Sequence, residues 1–336
     1  MPDAAGSALR YAFGPQVQLA ARGSRRARAH FEHEYGPAMP AAGPAAVEAA
    51  VRTWRPGAAA GTRGGHKTAR WRVTLGAPGA RPLRVAVTLT GGPPSFALSL
   101  VQGYYVEPLV AVALADAGYV ALPSAAIAGE GGALVLMGHS GSGKSSVSAR
   151  ALAAGRRILG DDQVVIGADG GCWPYPRRLR MYPDIEATAP DAWQRLRPAT
   201  RRALRVRRTV RRATRGFVAP SLAVPVSELG APAERGRSSA GRLIVVERSD
   251  EVRDLSETAR DDAWAVARAA EVIAAQRSRF RAAAGDRWRS ALDATAAAEI
   301  EVLRRWLEPL DVAQLRVPRA WDAATAVNAL AERLAV

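Results

Sequence analysis

Eight residues near the middle of the chain have the types and the spacing of a phosphate-binding loop. Residues 138–145 read GHSGSGKS, which fits the pattern GxxxxGK[ST]. Glycines let a backbone curl so that several N–H groups point at phosphate oxygens, and a helix that begins there adds the positive end of its dipole. The pattern therefore predicts a site for the phosphates of a nucleotide.

The same chemistry gives each side chain of this loop a role. Lys144 is expected to reach the β and γ phosphates of ATP, and the Ser145 hydroxyl to ligate Mg²⁺. Lys144 is one of only two lysines among 47 basic residues, which fits a need for a compact ammonium. The alternative is a glycine-rich turn that binds no nucleotide. A chain of this composition in random order would be expected to contain only roughly 0.002 matches to the pattern. The residues expected to bind the cofactor are Gly138, Ser140, Gly141, Ser142, Gly143, Lys144, Ser145 and Ser146.

A pair of carboxylates begins 17 residues after that lysine, in the stretch RRILGDDQVVIG. Asp161 and Asp162 would repel each other unless a cation lies between them or one keeps a proton. We expect Asp162 to help hold Mg²⁺ and Asp161 to take the proton of an acceptor hydroxyl. The alternative is a polar turn, because Gly-Asp-Asp is common in turns. Glu247, which ends LIVVE, is a rival metal ligand or base.

These residues resemble the catalytic domain of HPr kinase/phosphorylase and its relatives, the HprK-like serine kinases. MGHSGSGKSS, LGDDQVVI and YPRRLRMYP carry the resemblance, which is best over about residues 119–182 and looser over GRLIVVER and the C-terminal strand and helix. It implies that Asp161 is the general base toward a seryl hydroxyl and that Lys144 and Ser145 act on ATP and Mg²⁺. Some relatives act on short peptides, including natural-product precursors, and others on free amino acids or small proteins.

Two positions depart from that family. It has a glutamate directly after the serine of the loop, where this chain has Ser146, and a histidine on the preceding strand, where this chain has Pro123. Both positions bear on metal handling and on reversal of the reaction by phosphorolysis. The resemblance therefore implies a kinase-only relative.

The surrounding pattern predicts an α/β fold. Residues 1–66 are rich in Ala, Gly, Pro and Arg, and only YAFGPQVQLAA is typical of a strand. ARWRVTLGA and RPLRVAVTLT predict an antiparallel hairpin, and YYVEPLVAVALADAG a helix that ends at Gly118. Strands and helices then alternate, as in a sheet with helical crossovers. We expect a small N-terminal α+β module at 1–118 and, at 119–336, a P-loop NTPase-type sheet flanked by helices.

An arginine-rich insertion lies at 192–227. It contains no acidic residue, and ten arginines fall between Arg195 and Arg215. Such a segment suits an acidic peptide, a phosphorylated substrate or nucleic acid, while a solvated helix or disordered lid is the alternative. Nucleic acid is disfavoured because aromatic residues are not interleaved and no binding motif accompanies the arginines. An amphipathic helix with one apolar stripe is predicted from the helical spacing of Val206, Val210, Ala213 and Phe217.

Together these features predict a kinase that transfers the γ-phosphoryl group of ATP to a seryl or similar hydroxyl of a peptide or small protein. Arg177, Arg178 and Arg180 are candidates for binding the substrate or the transferring phosphate, or are ordinary surface residues. A kinase for a small hydroxyl-bearing metabolite and a nucleic-acid-binding P-loop ATPase are the alternatives.

Composition excludes several other classes. The net charge is +16, and the single cysteine, Cys172, rules out an internal disulfide and favours a reducing compartment. The four scattered histidines give no zinc-ligand spacing. The N-terminus lacks the pattern of a secretory signal, and the most apolar stretch is interrupted by Asp116 and Pro123. We therefore expect a soluble cytoplasmic protein without a membrane segment, and a homo-oligomer.

Overall fold

The fold is mixed α/β, as the sequence predicts, and it divides into two compact units. The computed structural model describes residues 7–36, 43–53, 60–215, 221–230 and 236–336. The first unit is Met1–Val120 with Ile273–Val302, and the second is Ala121–Val272 with Leu303–Val336. The predicted boundary between 118 and 119 falls close to this division, but the sequence assigned 273–302 to the second domain. Phe217, expected in the apolar stripe, lies outside the described residues.

Over its described residues, the first unit has a six-stranded sheet with the order β1-β2-β3-β6-β5-β4. The strands are β1 (Leu9–Phe13), β2 (Val17–Gly23), β3 (Val47–Thr53), β4 (Thr62–His66), β5 (Ala69–Leu75) and β6 (Leu83–Gly91). The helices are α1 (Arg25–Tyr35), α2 (Pro94–Val101) and α3 (Glu107–Asp116), with a π-helical turn at Gln102–Val106 between the last two. The predicted hairpin is confirmed as the antiparallel pair β5 and β6. YAFGPQVQLAA forms two strands because Gly14, at φ 63°, turns the chain between them.

The helical run Pro94–Asp116 is long and apolar enough, by length and composition, to cross a membrane. However, 78% of its most apolar window is buried inside the protein. Such burial is what the core helix of a globular unit shows, because an all-round apolar helix must be covered on every side.

Over its described residues, the second unit has a nine-stranded sheet with the order β10-β8-β9-β15-β12-β11-β7, extended by β17 on β15 and by β16 on β17. The strands are β7 (Tyr119–Leu122), β8 (Ser124–Ile127), β9 (Ala133–Met137), β10 (Ile158–Gly160), β11 (Val164–Gly167), β12 (Gly171–Pro174), β13 (Leu179–Met181), β14 (Leu222–Val224), β15 (Ser238–Ser249), β16 (Ser256–Ala259) and β17 (Asp311–Pro318). The helices are α4 (Lys144–Ala153), α5 (Ile185–Thr188), α6 (Pro190–Arg195), α7 (Pro198–Ala213) and α10 (Ala323–Arg333), together with the ends of α8 (Asp262–Ala284) and α9 (Asp286–Leu307), whose residues 273–302 belong to the first unit. Strands β13 and β14 form a separate antiparallel ribbon.

Three parallel strands lie at the centre of this unit. β15 pairs in parallel with β9 on one side and β17 on the other, so that Val245 lies opposite both Met137 and Gln314. Because the strands run the same way, their carboxyl ends meet at one edge of the sheet, where β9 leads into the predicted phosphate loop. One face of these strands packs against α4 and α10 in a core that includes Leu136, Val147, Leu152, Ile244, Val246, Leu315, Val327 and Leu330.

The helical segment 273–302 joins the first unit through buried aromatic rings and an ion pair. The Phe280 ring lies 6.4 Å from that of Tyr105 and 5.6 Å from that of Trp288, both in edge-on contact. Arg277 Nη1 donates to Glu299 Oε2 at 2.7 Å and Nη2 pairs with Oε1. The two side chains are only 12% and 2% exposed. A buried charge pair of this kind is strongly destabilising when one partner is removed, because the other charge stays buried.

We predict that Glu299→Ala lowers the free energy of unfolding by about 3 kcal/mol, because it leaves the Arg277 guanidinium without its carboxylate inside the unit. Urea denaturation followed by circular dichroism measures this. The matched control is Asp293→Ala on the same helix, whose partner Arg281 is 52% exposed. Its expected cost is below about 1 kcal/mol. Equal costs for the two variants would contradict the assignment of the buried pair.

Candidate functional site

The loop that follows β9 has three glycines with positive φ, Gly138, Gly141 and Gly143, and the first and last of them shape its two ends. Gly138 has φ +153°, and a Cβ there would lie 2.3 Å from the carbonyl oxygen of Val246 on β15. Gly143 has φ +103° and immediately precedes the first residue of α4. The first glycine lets the loop leave the sheet close to the neighbouring strand, and the last lets it turn into the helix. The loop therefore sits at the N-terminus of α4, as the sequence predicts.

The Lys144 ammonium lies over this loop. Its Nζ donates to the carbonyl oxygens of Gly138 at 2.6 Å and His139 at 3.1 Å, and to Ser142 Oγ at 3.3 Å. Burial lowers the pKa of Lys144, and the charges of Asp162 and Asp161 raise it in part. The side chain is thus surrounded by acceptors and lies within electrostatic reach of both predicted carboxylates.

The Asp161 carboxylate is the more buried member of the pair. Its residue is only 6% exposed, and it lies in the short turn between β10 and β11. Oδ2 accepts a hydrogen bond from the backbone N–H of Arg180 at 3.1 Å. Oδ1 is buried and makes no hydrogen bond to any residue in the described part of the chain. Oδ2 is therefore fixed in place, while Oδ1 is buried without a hydrogen-bond partner of its own among the described residues.

Burial raises the pKa of the Asp161 carboxyl to about 6, and the neighbouring charge of Asp162 adds to the shift. Three groups oppose it, and they are the Arg180 N–H, the Ser145 hydroxyl and the Lys144 ammonium. The structure thus brings Asp161 next to the two loop residues expected to act on ATP and Mg²⁺. A carboxyl with a pKa of about 6 is mostly ionised at neutral pH, yet it binds a proton more tightly than an ordinary aspartate.

Asp162 points toward solvent and an arginine. Its side chain is 43% exposed, and its Oδ2 lies 3.3 Å from Nη1 of Arg177, which is 16% exposed. Burial raises the pKa of the Tyr182 phenol, and the charges of both aspartates raise it further. Tyr182 therefore lies within electrostatic reach of the pair. The sequence analysis did not single out Tyr182, although it belongs to the segment YPRRLRMYP that carries part of the resemblance.

The three candidate arginines have different positions. Arg177 pairs with Asp162 through its side chain, and Arg180 contacts Asp161 through its backbone N–H. Arg178 lies half-buried in the stretch between β12 and β13. The aspartate pair is thus flanked by one guanidinium and one backbone donor from the same short segment.

Among the remaining loop residues, Ser142 is buried and Ser140 is exposed. Ser146 shares a hydrogen bond of 2.9 Å with Thr188 Oγ1 on α5, and the Thr188 carbonyl accepts from Arg150 Nε at 2.7 Å. Pro123 lies between β7 and β8. Where HprK-like kinases have a glutamate, this chain thus has Ser146, which is hydrogen-bonded to α5. Where they have a histidine, it has Pro123, whose side chain cannot exchange a proton.

Glu247, the rival ligand, takes part in a different set of contacts. Its Oε2 accepts from Gln314 Nε2 at 2.6 Å, and its Oε1 lies 3.4 Å from Arg268 Nη2. Val246 packs in the core beside α4, so the next residue points to the opposite face of β15. The carboxylate of Glu247 is thus engaged by an arginine and an amide on the face away from α4.

The donors at the loop suit Mg²⁺ better than a metal held wholly by protein. Among the residues that the structure describes, no three His, Cys, Asp or Glu side chains are grouped to hold a metal ion. Mg²⁺ usually takes one or two protein oxygens and completes its shell with water and phosphate oxygens. The Ser145 hydroxyl and the aspartate pair match such a set.

Cys172 is buried, and burial raises the pKa of its thiol to about 12, which leaves it a structural residue.

Comparison with protein-family models and with curated proteins finds no match to this chain. The resemblance to HprK-like serine kinases therefore rests on the phosphate loop, the aspartate pair and the segment YPRRLRMYP.

We predict that Asp161→Asn stabilises the protein at high pH. The raised pKa means that the folded state favours the protonated carboxyl, so this contribution is complete below about pH 4 and is lost as the pH rises through about 6. At pH 8 the parent carries a buried charge, which the isosteric amide lacks while it still accepts from the Arg180 N–H. The expected gain is up to about 3 kcal/mol at pH 8 and close to zero at pH 4.

Urea denaturation at the two pH values measures that gain. Asp250→Asn, whose side chain is 74% exposed, is the matched control and should change stability by less than about 0.5 kcal/mol. If the variant is no more stable than the parent at pH 8, the ionised Asp161 carboxylate does not lower the free energy of unfolding, and the prediction is wrong.

Proposed function

We propose that this chain is an ATP-dependent kinase that transfers the γ-phosphoryl group to a seryl or similar hydroxyl of a peptide or small protein. The observation that carries the proposal is the position of Asp161, a buried carboxylate with one free oxygen beside Lys144 and Ser145. A phosphate loop alone is compatible with motors, transporters and kinases. A base next to the loop is what the transfer to a hydroxyl requires.

The sheet supports the ATP-binding part of the proposal. A loop at the carboxyl end of a parallel strand, followed by a helix that packs on the sheet, is the arrangement of P-loop NTPases. Here β9, the loop and α4 have that order, and β15 lies parallel to β9. We therefore propose that the central strands of the second unit form a P-loop NTPase-type sheet, with the phosphates lying against the N-terminus of α4.

The proposed reaction is an in-line transfer. The hydroxyl oxygen of the acceptor bonds to the γ phosphorus, the bond from that phosphorus to the β–γ bridging oxygen breaks, and ADP leaves. The hydroxyl proton goes to Oδ1 of Asp161. Lys144 would exchange its loop carbonyls for the β and γ phosphate oxygens and so stabilise the charge that moves onto them. Ser145 and Asp162 would hold Mg²⁺, which neutralises phosphate charge when bound.

The environment of Asp161 fits its proposed role. A general base works best when its pKa lies near the working pH, because it must be ionised and yet bind a proton. Burial and the Asp162 charge raise the Asp161 pKa toward that range, and the Arg180 N–H, the Ser145 hydroxyl and the Lys144 ammonium keep it from rising further. The occupants of the two departing positions, Ser146 and Pro123, support a kinase without the reverse phosphorolysis.

A kinase for a small hydroxyl-bearing metabolite would use the same loop and base, and so it is the second candidate. The peptide acceptor is favoured by the arginine-rich helix α7 of the same unit, whose positive charge suits an acidic segment. A nucleic-acid-binding ATPase is the third candidate, and it would have no use for Asp161 as a base toward an acceptor.

We predict that Lys144→Ala weakens the binding of ATP–Mg²⁺ by at least about tenfold, because a charge-assisted contact to phosphate contributes about 1.5–3 kcal/mol. Isothermal titration calorimetry measures the dissociation constant. Lys67→Ala is the matched control, since Lys67 is the only other lysine and lies outside the loop. Equal affinity in Lys144→Ala and the parent would remove the basis of the proposed function.

We predict that Asp161→Asn lowers phosphoryl transfer by about 10²- to 10⁴-fold and leaves ATP affinity nearly unchanged, because the amide cannot take the hydroxyl proton. Transfer is measured as labelled phosphate from γ-labelled ATP on a pool of peptides, with the modified residue identified by mass spectrometry. Activity of the parent should rise with pH through about 6 as Asp161 ionises. Transfer by Asp161→Asn at the rate of the parent would mean that another group is the base.

A further inference from the structure

Helix α7 presents an apolar stripe to the outside. Its only buried residue is Leu204, and the opposite side carries Val206 and Val210, which are 54% and 39% exposed. Among the described residues, these two valines are the only large apolar side chains that are exposed. An isolated exposed valine needs no explanation, but two that are four residues apart on one helix lie side by side.

Arg202 and Arg207 flank this stripe, and further arginines lie on the other side of α7. Arg205 and Arg208 pair with Glu186 of α5, so they hold the helix against the rest of the second unit. Arg202 and Arg212 are exposed. Arg202 is four residues before Val206 and therefore lies on the same face.

An open groove runs along this face of α7. Its volume is about 580 Å³, and it is lined by Pro198, Ala199, Arg202, Ala203, Val206 and Arg207. The last of these, Arg207, donates to the carbonyl oxygen of Ser221 at 2.7 Å, just before β14. Burial lowers the pKa of the Arg207 guanidinium, and the charge of Arg180 lowers it further.

Arg180 completes the connection. It lies on β13, directly opposite Ala223 of β14, and its N–H donates to Asp161. The groove, the β13–β14 ribbon and the proposed base therefore follow one another within the same unit.

We propose that the acceptor is an acidic peptide segment that binds along α7, with its carboxylates on the arginines and its apolar side chains on Val206 and Val210. This inference rests on the proposed function, whose substrate class it names. Charge complementarity is the main argument, because ten arginines and no acidic residue lie between Arg195 and Arg215. The apolar stripe adds a second requirement, so that an acidic peptide with regularly spaced apolar residues should bind better than one without.

Two other occupants fit the helix less well. Helices that bind membrane surfaces bury large side chains such as Trp, Phe and Leu, whereas the exposed face of α7 offers two valines. Surfaces for single-stranded nucleic acid combine arginine with aromatic rings for base stacking, and α7 contains no aromatic residue. Both occupants are included as outcomes of the test.

The test measures docking without ATP, so that it does not depend on catalysis. The probe is a fluorescein-labelled synthetic peptide in which glutamate and leucine recur at helical spacing, and binding to the full chain is followed by fluorescence anisotropy at low salt. A scrambled peptide of equal composition and a peptide with lysine in place of glutamate are compared. We expect the acidic amphipathic peptide to bind most tightly and the lysine peptide not to bind.

Two variants locate the docking surface. Val206→Ser/Val210→Ser removes the apolar contact while keeping a similar helix propensity, and Arg202→Gln/Arg207→Gln removes the two charges that line the groove. Each should weaken binding by about three- to tenfold, in line with partial burial of two valines or with two surface ion pairs. The matched control is Arg253→Gln/Arg287→Gln, which removes two exposed arginines elsewhere and should leave binding unchanged.

Equal binding by the parent and both α7 variants would overturn the proposal. So would α7-dependent binding of phosphatidylserine-containing vesicles, or of a labelled oligonucleotide, in the absence of peptide binding. These failures are distinct from failure of the proposed function, which the affinity of Lys144→Ala for ATP–Mg²⁺ decides without any peptide. Circular dichroism of each variant establishes that loss of binding is not loss of folding.

Discussion

The burial of the Asp161 carboxylate beside the phosphate loop is the constraint on which the site depends. A carboxylate that is 6% exposed has lost most of its hydration, and the Arg180 N–H donates a hydrogen bond to it in return. The Lys144 ammonium and the Ser145 hydroxyl supply further compensation. The charge is therefore stabilised by groups from several elements that converge on it.

That convergence explains the local architecture. The turn after β10 carries the aspartates, α4 begins with the lysine, and β13 contributes the N–H, so three elements that are separated in sequence meet at one point. The parallel pairing of β9 and β15 fixes the start of the loop, because Gly138 passes close to the Val246 carbonyl. A protein that retains an incompletely compensated buried charge gives up stability there, which is commonly observed where a group serves chemistry.

The arginine-rich helix α7 likewise combines a local sequence pattern with contacts made by the fold. Its helix is held by Arg205 and Arg208 on Glu186, and by the ring of Trp193, over which the Arg205 guanidinium lies at 5.2 Å. These contacts use one side of α7 and leave Val206 and Val210 on the other. The proposed acceptor surface is thus the side of α7 that remains exposed once Arg205 and Arg208 have paired with Glu186.

The sequence by itself determined the local features of this protein. The GHSGSGKS loop, the helix after it, the strands on either side and the amphipathic character of α7 are all properties of neighbouring residues, and glycine geometry and hydrophobic periodicity are enough to predict them. The tertiary structure alone decided which distant groups meet. It placed Glu247 with Arg268 and Gln314, brought Tyr182 close to the aspartates, and put the segment 273–302 with the first unit. Those outcomes depend on which faces of strands and helices are buried together, and burial is a property of the whole chain that no local spacing encodes.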